Sequence, residues 1–240
     1  MRSWIWMFGA IAIAQASTGH AATGELPLAW KPDEVRRYSL GETAKVGSQL
    51  VRVRSTFAER VRAVRPDGTA ELEISVESLE VCTGRPARCV HPTLGRTLET
   101  TRAESDRRGA VTAQRVLTVV LRDGRPRLEL RDPRTPPARD LPAFEAVPLE
   151  LLDLLAPPDR HPTPGKAVKR QLGATTLRWL LATLDARIAS VRVTSDGHAP
   201  LTADLSAHFA AATGELLDAR GTLIRWQPQK RNSVFVLERK

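Results

Sequence analysis

Residues 51–63 read VRVRSTFAERVRA, with Val51, Val53, Phe57, Val61 and Ala63 on one parity and Arg52, Arg54, Arg60 and Arg62 on the other. That period of two is the signature of a half-buried strand. Pro66-Asp67-Gly68 ends the run with turn chemistry. Ala70 to Glu77 then alternates again, with Leu72, Ile74 and Val76 inward and Glu71, Glu73 and Glu77 outward. The two runs form an antiparallel hairpin. A four-residue loop from Arg65 to Gly68 sets Arg62 opposite Glu71 and Arg60 opposite Glu73, so cross-strand charge and face parity agree. The arginine face reads as a solvated, salt-bridged sheet surface, and exposed pairs of this kind stabilise little.

Outward from this hairpin the text stays β-like. Thr97 to Arg107 is polar and Thr-rich. Val111 to Leu121 is β-branched and closes on Asp123-Gly124, with Leu128 and Leu130 beyond, so the first half reads as an antiparallel meander. Arg131 to Pro148 carries Pro133, Pro136, Pro137, Pro142 and Pro148, which rules out regular strand pairing over most of its length. Pro148 to Leu155, with Leu149, Leu151, Leu152, Leu154 and Leu155, is expected as a short helix starting at the proline and stopped by Pro157-Pro158. Being apolar on most sides, it should plug a core against the sheet.

Strand text resumes over Lys166–Leu184 and Ile188–Thr194, turns at Asp196-Gly197, continues through Leu201–Phe209 and turns again at Thr213-Gly214. It ends in a closing hairpin of Leu216–Trp226 and Val234–Leu237. Leu177, Leu180, Leu181, Leu184 and Ile188 also fit a helical stripe; the strand reading is preferred. The fold class is therefore mostly β: one curved antiparallel sheet, or two related β lobes, with one short Leu-rich helix. Spacing hints at duplication, since Pro32-Asp33 precedes Leu40-Gly41 as Pro164-Gly165 precedes Leu172-Gly173, and Val64 precedes Asp67-Gly68 as Val193 precedes Asp196-Gly197. The expected organisation is a signal peptide over 1–22, a β half over 23–130, a Pro-rich segment with the helix over 131–164, and a second β half over 165–240.

The signal reading rests on Arg2, on the apolar stretch Trp4–Ala14, too short for the roughly 20 residues of a spanning helix, and on small residues before cleavage points after Ala16 or near Ala22. Export places the protein in the periplasm or outside the cell. Cys82 and Cys89 are the only cysteines, so in an oxidising compartment a local disulfide is expected in preference to half of a metal site with His91. The chain has 36 Lys and Arg against 27 Asp and Glu, a net charge of +9, of which the leader takes only Arg2. A basic balance favours anionic envelope partners. With only six lysines, the excess is nearly all Arg and is spread along the chain, a pattern an Arg-rich genome would also produce. Export and an aromatic content of 5% argue against nucleic acid, which needs stacking platforms.

Signatures of catalysis are missing from the text. There is no Gly-x-Ser-x-Gly, no phosphate-cradling loop and no dinucleotide fingerprint. Once His20 leaves with the leader, His91, His161, His198 and His208 remain, and two of them precede proline. Asp204 and His208 share a face in a strand or a helix, the only dyad-like spacing, and read more readily as a surface pair. No catalytic, cofactor or metal residues are expected.

Trp30-Lys31-Pro32-Asp33-Glu34 with Tyr38, the mid-chain Pro164-Gly165 and the late Thr213-Gly214-Glu215-Leu216 resemble exported bacterial β-rich domain families of unknown function that open on a Trp-Lys-Pro-Gly-Glu type motif. Asp33 stands where that pattern prefers Gly. The architecture is also loosely similar to the open half-barrels of periplasmic lipoprotein-localisation carriers. The resemblance implies no catalytic residues. The expected role is a non-enzymatic envelope protein binding a lipid, a lipoprotein or another anionic or apolar envelope component; the alternative is a structural or assembly partner of an envelope complex.

Overall fold

The computed structural model describes residues 26, 30–84, 86–94, 100–122, 125–133, 143–158, 162–195, 200–226 and 230–240; the leader, His161, His198 and the Asp196-Gly197 turn lie outside them. The hairpin that decides the fold is present as β2 (Gln49–Val64) and β3 (Ala70–Thr83), with β1 (Val35–Val46) on its other side. Val51, Val53, Phe57 and Val61 are fully buried while Arg52, Arg54, Arg60 and Arg62 are exposed, as the alternation requires. The register departs from the four-residue loop in one respect. Arg60 faces Glu73, but the strand bulges between Val61 and Ala63 and the loop closes at Val64–Ala70. Asp67 Oδ1 accepts from Thr69 N at 2.9 Å, and this side-chain turn adds the residue that the bulge absorbs. Arg62 consequently bonds Glu73 instead of Glu71, and Arg65 takes Glu71 and Glu104, each at 2.9 Å.

The remaining strands are β4 (Arg88–Val90), β5 (Thr100–Ser105), β6 (Val111–Ala113), β7 (Val116–Arg122), β8 (Arg125–Arg131), β9 (Ala143–Glu145), β10 (Ala167–Leu172), β11 (Thr175–Leu184), β12 (Ile188–Ser195), β13 (Leu201–Ala210), β14 (Leu216–Arg225) and β15 (Arg231–Arg239). Twelve of them make one antiparallel sheet in the order β10-β11-β12-β13-β14-β15-β1-β2-β3-β5-β6, with β4 also on β3. Its end strands, β10 and β6, do not pair with each other, so the sheet is not closed into a barrel. The two halves of the chain meet where the last strand lies beside the first, Leu40 facing Leu237. The segment Leu177–Ile188 is extended, split between β11 and the start of β12. Leu40-Gly41 lies inside β1, whereas Leu172-Gly173 opens the turn from β10 to β11, so these two spacing signals occupy different structural positions.

The meander does not run through Leu121. The strand text of residues 111–121 breaks after Ala113, and β7 leaves to form a second sheet, β8-β7-β9. Among the described residues of the Pro-rich segment that follows, β9 pairs three residues with β7. The helix, α1 (Leu149–Leu155), starts directly after Pro148, buries all five of its leucines and stops at Ala156. Small sheet and helix lie against one face of the large sheet in a shared core that includes Tyr38, Phe57, Trp179, Leu205 and Leu237. Polar bonds that tie them down include Ser55 Oγ donating to Ala146 O at 2.6 Å, Trp179 Nε1 to Leu155 O at 3.2 Å, and Arg170 to Asp153 Oδ1 at 2.7 Å.

Candidate functional site

The covered face of the large sheet is apolar with two ionic interruptions, at opposite ends of β1. The first is built from the opening motif. Asp33 turns the chain with φ +62°, the left-handed conformation that explains why a pattern of this kind prefers Gly there. Asp33 N and Glu34 O are bonded to Val61, which fixes the turn on β2 and directs Glu34 toward Arg36. Arg36, only 2% exposed, donates from Nε and Nη2 to the two oxygens of Glu34 at 3.0 Å each, lies 3.3 Å from Glu215 Oε1, and stacks over the Trp30 ring at 4.0 Å. Tyr38, next on the same parity, stacks on Phe57 with centroids 5.4 Å apart.

The late Thr213-Gly214-Glu215-Leu216 turn arrives at the same place. Gly214 has φ +64° and Ala210 N bonds Glu215 O at 2.8 Å, which holds the Glu215 carboxylate against Arg36 and against Arg239 at 2.5 Å. Glu59 of β2 completes the group at 3% exposure. Burial, together with the Glu215 charge and against the Arg36 charge, pushes Glu59 up to about 7. For Glu34, burial is outweighed by the hydrogen bond and charge of Arg36, and its carboxyl is held below the ordinary value. Trp30, Arg36, Tyr38 and Glu59 line a hollow of about 40 Å³ with Leu152 and Leu155 of α1. Trp30 Nε1 and Glu59 Oε1 are buried there without a hydrogen-bond partner in the protein.

The second interruption anchors the plug. Arg225 Nε donates to Glu150 Oε2 of α1 at 2.8 Å, and Arg231 bonds Ala143 O, lies over Phe144 at 4.9 Å and sits 3.6 Å from Glu42. Glu145 accepts from Leu149 N at 3.0 Å, supplying the side-chain bond to the buried start of the helix that Pro148 cannot. Burial and the neighbouring Glu150 push Glu145 up to about 7.

Asp204 and His208 share β13 but turn to different partners: Asp204 pairs with Arg192 at 3.3 Å and His208 Nδ1 lies 2.9 Å from Asp218. They form no dyad. Cys82 and Cys89 face each other across β3 and β4 with sulfurs 2.14 Å apart, a disulfide, so neither is left as a thiolate ligand beside Glu80. His91 stands exposed, 3.6 Å from Glu80. On the other face of the sheet the arginines are engaged: Arg37 with Glu77, Arg54 with Glu80 and Arg62 with Glu73. Among the described residues, no helix is long and apolar enough to cross a membrane.

The interior ions are the feature that reading by alternation passed over, although parity carried a signal. Ser55 and Glu59 stand on the inward parity of residues 51–63, and Arg36 on that of Tyr38 and Leu40. No protein-family model and no curated protein matches the chain. Among solved structures it is similar to one titled "Lipid-protein interactions in lipovitellin", at 11% identity and a TM-score of 0.48 over 88% of this chain; the chain spans about a quarter of that protein's length, 25%.

Proposed function

We propose that this protein is a non-enzymatic binding module of the cell envelope that admits an apolar chain, of a lipid or a lipoprotein, between its large sheet and helix α1. The observation that carries the reading is the plug itself. An unclosed sheet keeps an apolar face dry with one seven-residue helix of five buried leucines, bounded by prolines, and with a three-stranded sheet. Burying five Leu side chains is worth roughly 7–15 kcal/mol, and an acyl chain of about twelve methylenes roughly 10 kcal/mol at ~0.8 kcal/mol each. Exchange of α1 for an acyl chain is thus close to balanced. The ionic anchors Arg225–Glu150 and Arg170–Asp153 are partly exposed pairs that can re-form with water.

Titration with a fluorescent polyene fatty acid tests this. Saturable uptake by the folded protein is expected, strengthened in Glu150→Gln and Asp153→Asn, which loosen the plug. Absence of uptake in the wild type and both variants, together with no co-purifying lipid by mass spectrometry, would sink the proposal.

A second reading, an assembly partner within an envelope complex, draws on one observation. Val234 and Val236 of β15 are 54% and 44% exposed, beside a depression floored by the small residues Ser39, Gly41, Thr56 and Ser78. Crosslinking in intact envelopes should then yield a defined adduct that Val236→Glu abolishes; an unchanged pattern would count against it.

A further inference from the structure

We propose that the hollow beside Glu59 receives the primary-ammonium end of an amphiphile whose apolar part runs along Leu152 and Leu155, an assignment that rests on the apolar-chain reading above. The charge balance points there first. Among the described residues the cluster sets three carboxylates, Glu34, Glu59 and Glu215, against two guanidinium groups, Arg36 and Arg239. Arg108, which also lines the hollow, is bonded to Asp106 at 2.7 Å. With Glu59 ionised one buried negative charge would be left over, and because burying an uncompensated charge is costly the carboxyl holds its proton up to about 7 unless a cation arrives beside it.

The identity of the unsatisfied atoms points the same way. Among the described residues Glu59 Oε1 lines the hollow without a hydrogen-bond partner, and once ionised it is an acceptor, so the complementary group is a donor with positive charge. A carboxylate or phosphate placed there would meet like charge. Trp30 Nε1 is a donor without an acceptor and lines the same hollow, so an oxygen close to the ammonium finds a partner as well. Donor count selects further. A primary ammonium brings three N–H donors to the Glu59 carboxylate, whereas a trimethylammonium brings none. Beyond the polar end the walls turn apolar, with Leu152, Leu155, Phe209 and Leu216. The site is amphipathic in the order an amine-headed lipid needs.

Calorimetric titration with dodecylamine, dodecyltrimethylammonium and dodecanol, each below its aggregation threshold, separates headgroup from tail. Dodecylamine is expected to bind at least tenfold more tightly than dodecyltrimethylammonium, and Glu59→Gln to remove that preference while leaving dodecanol binding in place. The groups facing Glu59 are Arg36 and Tyr38 from β1, Glu215 from the β13–β14 turn and Arg108 from the β5–β6 turn, with only leucines from α1. Because Glu59 is pushed up to about 7, the wild-type preference should also rise between pH 6 and pH 8, a readout that survives if the variant does not fold. Matching discrimination between lysophosphatidylethanolamine and lysophosphatidylcholine identifies a phospholipid as the source; binding of dodecylamine alone identifies a free amine. Equal affinities in the wild type, or a preference that persists in Glu59→Gln, overturn this assignment and leave the apolar-chain reading intact. Failure of all three dodecyl probes overturns both.

Discussion

Glu59 and Glu145 share the same upward shift, and Glu59 is the one that lines the hollow. Its folded-state value of about 7 lies above the ordinary 4.5, so the fold holds a proton that the unfolded chain releases more readily. The associated stability is fully present below about pH 4.5 and is lost as pH rises through 7. Roughly 3 kcal/mol is at stake, from ~1.4 kcal/mol per unit. Urea denaturation should therefore give a less stable protein at pH 8 than at pH 5, and Glu59→Gln should stabilise at pH 8 and reduce that slope by roughly half, the remainder belonging to Glu145. An unchanged slope would mean that Glu59 is paired or solvated. Asp33 offers a smaller test of the opening turn. At φ +62° a β-branched residue is strained, so Asp33→Val should cost about 1–2 kcal/mol, whereas Asp33→Gly should stay within about 0.5 kcal/mol in the same denaturation assay, its exposed contact to Arg60 counting for little.

At the level of elements, Gly221 shows how tightly the ladder is drawn. It lies opposite Leu205 in β14 with φ +154°, and a Cβ added there would fall 2.2 Å from Asp204 O and 2.9 Å from Leu205 Cα, both backbone atoms that cannot step aside. Gly221→Ala should cost about 4 kcal/mol or more, from clash and backbone strain together, and depress the urea midpoint steeply. Gly173→Ala, at φ +56° with open space around it, should cost about 1 kcal/mol. A similar midpoint for the two would show that β13 and β14 separate easily at this point. Such strands were legible because Val51–Phe57 and Leu72–Val76 alternate, and α1 because five leucines lie between Pro148 and Pro157. What period-two text cannot carry is the sheet a strand joins. Residues 111–121 read as one run, yet Gln114-Arg115 carries the chain from β6 in one sheet to β7 in the other. The site was half legible for a related reason. Trp30, Glu34, Tyr38 and the turn holding Glu215 stood out as motifs, but Glu59 did not, and Glu215 is brought near the others only through the pairing of β15 with β1.

That pairing decides whether the molecule behaves as one body. β15 lies between β14 and β1, so the strand ladder that joins the two halves of the large sheet among the described residues runs through its nine residues. It also furnishes Arg239 to one ionic cluster, Arg231 to the other, and the buried side chains of Phe235 and Leu237 to the core. Contacts this distant in sequence form late and slowly in folding, because loop closure comes before any of their stabilisation. Once formed, they should bind the halves into one cooperative unit. Trp30 reports on the first half and Trp179, fully buried in β11, on the second, so single-tryptophan versions of the chain from residue 23 onward can follow each separately. Both are expected to unfold at one urea midpoint. Leu237→Ala, which empties a fully buried position at the junction, should lower that midpoint by the equivalent of about 2–5 kcal/mol for both reporters alike. Two midpoints in the wild type, or a shift felt only by Trp179, would mean that the halves are separate domains sharing a seam. The binding face proposed under α1, which spans that seam, would then have to be reassigned to one side of it.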